Sequence, residues 1–587
     1  MNLFTRFYLW RIRNIKDKQY MMILSVVIGI LAGTAAFVLK NSVHFIKYLL
    51  TYRFSDDYQN YLFLAYPLIG ILLTVIFAKF ILRNKIRSHV SDVLYAISRQ
   101  NGILKRHSTF STVIGSALTV GFGGSVGLEG PTVVTGASLA SNLSRFLRLN
   151  YKQVILMLGC ASAGAMSAIF KAPIAGVVFA LEVIMLDLTM SSIVPLLLAS
   201  ATAALTSFFF FGQDVLYNFS VAEKFHLSEI LYFLLLGVLC GLASAYFIRI
   251  YKTINGLFDK IASWWIKLAV GGVILGALIF MIPALYGEGY ESVNQSLRGD
   301  YNFLFEQSLF YEYRENSLAI LLMFMGIVFL KAVATSITLS VGGAGGFFAP
   351  TLFLGANIGF LYAKTANYFS VGLSESNFAL VGMAGLISGV IHAPLTAIFL
   401  IAELTNGYEL FLPLMLVSTS SFAITKFFAP HSIYTYDLAS RGDLITHDKD
   451  KAVLSMMRTS DLIETNFLTV HPDDTLRTLV DVISKSTRNV FPVVDKENNF
   501  LGVVFMDHVR HIIFKPEFYD STRVRDLMYM PEQTVEADDC MEDVAHKFMN
   551  SGNFNLPVLD KGKYVGFVSR ANVFSTYRKK LKYFSEE

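Results

Sequence analysis

The feature that most constrains this chain is a series of long apolar stretches. They are Met21–Val38, Tyr61–Leu82, Ile174–Met190, Ile193–Phe211, Ile230–Tyr246, Leu268–Leu285, Leu318–Val333 and Leu410–Phe427. A helix needs about 20 apolar residues to cross a bilayer, and several of these reach that length. Inside lipid every backbone N–H and C=O must find a partner within the protein, so spanning segments of this kind read as helices. Charged residues make up only 16% of the chain, against roughly 25% in soluble domains. The expectation is an all-α polytopic protein of the lipid bilayer. Stretches that stop short or run into glycines read as helices that end partway through it.

Basic flanks set the orientation, because Lys and Arg are retained on the cytoplasmic side. Arg6, Arg11, Arg13, Lys16 and Lys18 precede the first stretch, and Arg83, Lys85 and Arg87 follow the second. Lys105, Arg106, Arg145, Arg148 and Lys152 flank later segments, whereas residues 287–316 carry Glu288, Glu291, Asp300, Glu306, Glu312 and Glu315. This places the N-terminus, and with it the C-terminal region, in the cytoplasm and the 287–316 loop outside, in a multi-pass protein of the plasma (inner) membrane. The opening "RFYLWRIRNIKDK" is basic and interrupted, unlike the compact apolar core of a cleavable signal. The net charge of +5 is spread over these flanks, so it reads as topology and not as a nucleic-acid surface. Cys160, Cys240 and Cys540 have neither disulfide nor metal-ligand spacing.

Composition changes near residue 430. Beyond it come ordinary charge density and alternating strand and helix patterns. "RNVFPVVDKENNFLGVVFMDHVR" (488–510) is echoed by "FNLPVLDKGKYVGFVSRANVF" (554–574), and each is preceded by an acidic helix entry, "VHPDDTLRTLVDVI" and "VEADDCMEDVAHKF". The duplicated whole resembles a tandem pair of CBS domains, an α/β cytoplasmic module. The expected organisation is a basic segment over 1–20, a membrane domain over 21–430, a pore-end helix and linker over 431–455, and CBS domains over 456–515 and 524–587.

The membrane part also repeats. "FKAPIAGVVFALE" (170–182) matches "IHAPLTAIFLIAE" (391–403), and "EGPTVVTGA" (129–137) matches "FAPTLFLGA" (348–356). Such halves point to a repeat-built transporter with its site at the repeat interface. Both upstream copies join a glycine run, a proline and an apolar helix. Proline suits the first turn of a helix, where its missing N–H costs nothing. A helix start within the membrane offers free N–H groups and the positive end of a dipole, which suits an anion. Glycine runs also serve close helix packing in membranes. Within the first copy, "GFGGSVGLEGPTVVTGA" holds a single carboxylate, Glu129. A charge there costs at least about 2.5 kcal/mol and calls for a function.

At these residues the chain resembles the CLC family of chloride channels and proton-coupled chloride exchangers. "GLEGP" (Gly127, Leu128, Glu129, Gly130, Pro131) is similar to the family's GxEGP segment, and "GFFAP" (Gly346 to Pro350) to its GxFxP segment. "HAPLTAIFLIAELTNGYELFLPL" (392–414) and "SIYTYDLASRG" (432–442) match further family phrases. The resemblance implies two inverted halves, a homodimer with one pathway per subunit, and chloride, with protons in the exchangers, as the transported species. It assigns Glu129 as the gating glutamate, which fills an anion position when charged. It assigns the backbone of Phe347 and Phe348 and the hydroxyl of Tyr434 to the central anion. The family's first anion motif is reduced here to "RSHVS" (87–91), which keeps Ser88 as an anion ligand or a helix N-cap. Leu128 stands where a basic residue is usual. Val183 stands at the position of the inner proton-relay glutamate; Glu182 beside it is expected to make a helix-end contact, as Glu403 does in the other half.

In the second CBS copy "GFVSRAN" resembles a ribose-contacting phrase through Gly566 and Ser569, with Asn572 in place of the usual aspartate. An adenine nucleotide is therefore one expectation; a disc without a ligand is the other, and no other cofactor or metal is implied. The function expected is CLC-type anion transport, by channel or by exchanger, and no enzymatic activity. A fluoride/proton antiporter of the same family is the alternative. A CBS-regulated divalent-cation channel would want several carboxylates along its path, and an intramembrane hydrolase a motif such as HExxH; the sequence offers neither.

Overall fold

The computed structural model describes residues 11–51 apart from 12, 59–184, 190–212, 225–440 apart from 307 and 406, and 454–585 apart from 455 and 456. The chain divides into two compact units, Met1–Leu444 and Ile445–Glu587. Parts of the expected N-terminal basic segment and of the 431–455 linker lie outside the described residues, as do residues 185–189 after the first short helix.

Among the described residues of the membrane unit, eight helices are followed by eight in matching order. The first set is α1 (Asp17–Thr51), α2 (Gln59–Ile76, continued as a π-helix to Leu82), α3 (Val90–Arg99), α4 (Ser108–Gly121), α5 (Glu129–Phe146), α6 (Tyr151–Phe170), α7 (Pro173–Phe179, continued by a π turn to Ile184) and α8 (Met190–Phe211). The second set is α9 (Ile230–Asp259), α10 (Trp264–Met281), α11 (Tyr290–Leu297), α12 (Ser317–Ser340), α13 (Phe348–Tyr368), α14 (Glu375–Ile391), α15 (Pro394–Leu404) and α16 (Phe411–Phe428). A short α17 (Tyr436–Ser440) ends the unit. Packing repeats as well: α1 lies on α6 and α8, and α9 lies on α14 and α16. Small residues permit the closest approaches. A Cβ added at Gly355 of α13 would sit 2.5 Å from the Gly382 carbonyl oxygen of α14. Backbones this near are how membrane helices gain contact without a hydrophobic drive between them.

A reciprocal contact relates the halves. Pro173 and Pro394 each occupy the first turn of a helix, and Lys171 and His392 precede them in left-handed conformation, with φ of 55° and 62°. The Glu403 carboxylate, at the end of α15, accepts the N–H groups of Ile174 (3.0 Å) and Ala175 (2.8 Å) at the start of α7. Glu182, at the end of α7, accepts those of Leu395 (3.1 Å) and Thr396 (2.8 Å) at the start of α15, and the Thr396 hydroxyl (2.7 Å). Each helix thus ends where the other begins, so the two run antiparallel and the halves are inverted. The expected helix-end role of both glutamates is what the geometry displays.

Eight helices among the described residues are long and apolar enough to cross a membrane. Two sequence expectations differ from this set. Of the stretch 174–190, the described part is the short helix Pro173–Ile184, and residues 185–189 lie outside the described residues. Conversely, Tyr151–Phe170 is a long helix that the apolar count passed over. Its glycine, serine and alanine residues interrupt the run of large apolar side chains, and they let it sit buried inside the bundle.

In the second unit, β1 (Val490–Val494) pairs antiparallel with β2 (Phe500–Phe505). In the other copy β3 (Val535–Glu536) runs parallel to β4 (Asn555–Asp560), which pairs antiparallel with β5 (Lys563–Ser569). A parallel bridge between Val470 and Val493 is the first copy's counterpart of the β3–β4 pairing. The copies meet through Phe467, Val490, Phe500, Val503 and Phe567, which form one buried apolar cluster.

Candidate functional site

The chain segments "TVGFGGSVGLEGP" (119–131) and "TLSVGGAGGFFAP" (338–350) run into the starts of α5 and α13. They hold each other in reciprocal pairs. Gly127 N–H donates to the Gly346 carbonyl (2.9 Å), and Gly346 N–H donates to that of Gly127 (2.8 Å). Thr119 Oγ1 accepts the Ala344 N–H (3.0 Å), while Thr338 Oγ1 accepts the Ser125 N–H (3.3 Å). Two helix N-termini are thereby brought face to face inside the protein. The first N–H groups of a helix have no carbonyl one turn back, so this meeting point is rich in donors and in positive dipole ends.

Glu129 is the first residue of α5 and is 1% exposed. Its Oε2 accepts the N–H of Ala349, the second residue of α13, at 3.2 Å. Its Oε1 accepts a hydrogen bond from the Tyr290 hydroxyl. The carboxylate of one half therefore occupies the N-terminus of the other half's helix. At the same place in the second half stands Phe348, so the site is asymmetric in charge although symmetric in backbone. Gly127 makes room for this arrangement: an added Cβ there would collide with Glu129 Oε2 and approach the Ala349 nitrogen to 3.0 Å.

Ser88 is buried, and its Oγ accepts the N–H of Gly345 at 3.2 Å. The N-cap of α3 is His89, not Ser88, which removes the helix-cap alternative for the serine. The His89 ring stacks on Phe347 at 5.5 Å between centroids. Phe347 is the N-cap residue of α13 and Phe348 its first residue; both are buried. Tyr434 is buried too, its ring 6.3 Å from that of Phe347 and within electrostatic reach of Glu129. Ser88, Phe347, Phe348, Tyr434 and Glu129 thus come from separate elements to one region. Val183 stands in the π turn after α7.

The family model for voltage-gated chloride channels matches residues 69–426, more than half the chain. The chain belongs to the CLC family. CBS domains match at 460–515 and 524–579, so this CLC protein carries a tandem CBS pair. It is 28% identical over 358 residues to a "Voltage-gated ClC-type chloride channel ClcB" of Citrobacter koseri, covering 60% of this chain and 81% of that one. Among solved structures it resembles a slow cyanobacterial Cl−/H+ antiporter with a TM-score of 0.60 at 19% identity, over 74% of this chain and all of that one. It also resembles a eukaryotic CLC transporter with a TM-score of 0.56 at 18% identity, over 94% of this chain and 97% of that one. These structural likenesses establish the CLC fold, and the family is one of channels and transporters.

Reading the sequence missed four residues of this CLC site. Ala349 contributes only its N–H, which no side-chain motif reveals. Glu288 lies in the acidic loop before α11 and Tyr290 opens that helix; the Glu288 carboxylate is near the Leu128 backbone and within electrostatic reach of Lys40, Lys47 and Lys331. Lys331, wholly buried within α12, donates to the carbonyls of Leu285 (3.2 Å) and Gly287 (2.9 Å). A signal for it was available, since a lysine inside an apolar stretch is costly and marks a functional or structural partner. Leu128 packs among Leu39, Val43, Ala117, Val120 and Val126, an apolar contact.

Proposed function

We propose that the protein moves chloride across the plasma membrane along a pathway gated by Glu129, as a homodimer with cytoplasmic termini and the 287–316 loop outside. One observation carries this reading: the Glu129 carboxylate lies on the Ala349 N–H, in the position that an anion at the α13 N-terminus would take. When ionised, the side chain competes with chloride for that donor. When protonated, it is a weaker acceptor, because hydrogen bonds to charged groups are roughly twice as strong as neutral ones, and it yields the place. The buried hydroxyls of Ser88 and Tyr434 and the first N–H groups of α13 supply the remaining coordination. An adenine nucleotide at Gly566, Ser569 and Asn572 would have to displace Glu464, whose carboxylate accepts the Ser569 hydroxyl at 2.6 Å and pairs with Arg488 at 2.7 Å; we read the CBS pair as a regulatory disc.

The test is the reversal potential of purified protein in planar bilayers under crossed chloride and pH gradients. A potential that follows chloride alone identifies a channel, and one that also moves with pH identifies proton-coupled exchange. A potential insensitive to chloride contradicts the proposal. Replacing chloride with fluoride in the same cell measures anion preference.

A further inference from the structure

We propose that Tyr290 is a latch for the gating glutamate: its hydroxyl holds the ionised Glu129 side chain on the α13 N-terminus and so sets the pH at which the pathway opens. The inference rests on the gating role given to Glu129 above.

Tyr290 is the first residue of α11, and its hydroxyl donates to Glu129 Oε1 while Ala349 N–H donates to Oε2. The carboxylate is thus clamped from two elements, one oxygen to each. The loop that carries Tyr290 is itself tied down at several points. Gly287 N–H donates to the Gly123 carbonyl at 3.1 Å, and Lys331 Nζ binds the Leu285 and Gly287 carbonyls from α12. Gly289, with φ of 90°, turns the chain into α11 against the Phe353 ring, where a Cβ would clash. A tyrosine carried on a loose loop could not define a hydrogen bond to a gate; this one is anchored to the same glycine segment that carries Glu129.

The charged and titratable groups facing Glu129 are Tyr290 and Glu288 from the 282–297 segment and Tyr434 from the segment before α17. Behind Glu288 stand Lys40 and Lys47 of α1 and Lys331 of α12. Tyr290 favours the ionised form of Glu129, because an O–H donor binds a carboxylate more strongly than a carboxylic acid. Removing the donor takes away that preference for the ionised form. Glu129 then takes up its proton, and releases the pathway, at higher pH.

Chloride efflux from proteoliposomes, measured from pH 4 to pH 9 (about the range proteoliposomes tolerate while spanning the carboxylate region), tests this with wild type, Tyr290→Phe, Tyr290→Leu, Glu129→Gln and the Tyr290→Phe/Glu129→Gln double variant. A hydrogen bond to a charged group corresponds to roughly a one- to two-unit shift in pH midpoint. The expected result is an upward shift of that size in both tyrosine variants, with none added by Tyr290→Phe when Glu129 is already glutamine. An unmoved midpoint in Tyr290→Phe or Tyr290→Leu, with Glu129→Gln insensitive to pH, overturns the latch and leaves the gate standing. Wild-type pH dependence in Glu129→Gln overturns the gate and the latch with it. Size-exclusion profiles of each variant establish that it is folded, and a purely packing role for Tyr290 would lower flux without moving the midpoint.

Discussion

Glu182 and Glu403 hold the inverted halves together, and the number of bonds each makes gives an ordered expectation. Glu403→Ala leaves two helix-start N–H groups without their carboxylate, those of Ile174 and Ala175. Glu182→Ala leaves two N–H groups and the Thr396 hydroxyl. A hydrogen bond to a charged group contributes about 1.5–3 kcal/mol, and the lower end applies because both carboxylates are only half-buried. The losses are then about 3 kcal/mol for Glu403→Ala and about 4–5 kcal/mol for Glu182→Ala. Water reaching the freed donors lowers both figures and keeps their order. Equilibrium unfolding in mixed detergent, followed by tryptophan fluorescence, measures the difference. Both variants should destabilise, Glu182→Ala by the larger amount, and the folded fraction of each should keep its anion selectivity because no proposed anion ligand is touched. Wild-type stability in Glu403→Ala, or the reverse order, would refute the reciprocal-cap argument.

Three further outcomes are expected. Gly127→Ala puts a methyl where the carboxylate, or an anion on the Ala349 N–H, must sit, and should lower chloride flux at every pH; unchanged flux in proteoliposomes would contradict that placement. Tyr434→Phe removes one hydroxyl from a buried anion site and should weaken chloride binding roughly ten-fold or more; calorimetry on the purified protein reads this directly, and an unchanged affinity excludes the hydroxyl as a ligand. Truncation after residue 445, where the first compact unit has ended, should leave a protein that still carries chloride with altered rate, since every proposed ligand precedes the cut; abolished flux in a folded truncate would refute the separation of transport from regulation.

Much of this arrangement is legible in the chain. The matched phrases around Pro173 and Pro394 reveal the duplication, because proline at a helix start and a glutamate nine residues on serve the same purpose twice. Glu129 is conspicuous because a lone carboxylate between glycines within an apolar stretch has no structural excuse. Inversion is different. It exists only in the crossing of Glu182 and Glu403 to each other's helix, and no spacing within one half encodes it. Ala349 binds through its backbone, so its side chain carries no trace of the role. Tyr290 reads as one aromatic among many in a polar loop, and only the tethers from Lys331 and Gly123 bring it to the gate. Helix α6 hid for another reason: a helix buried among helices is built from small residues, and Gly159, Ser162 and Gly164 break up the run of large apolar side chains by which a span is noticed.

The central claim is that the Glu129 carboxylate stands in the anion's place and leaves it on protonation. The most direct measurement is the pH dependence of chloride efflux for Glu129→Gln beside wild type. Glutamine keeps the size of the protonated acid and cannot ionise, so the variant should conduct at a nearly constant rate, close to the wild-type rate at low pH. A variant that still slows as pH rises, in step with wild type, would contradict the account.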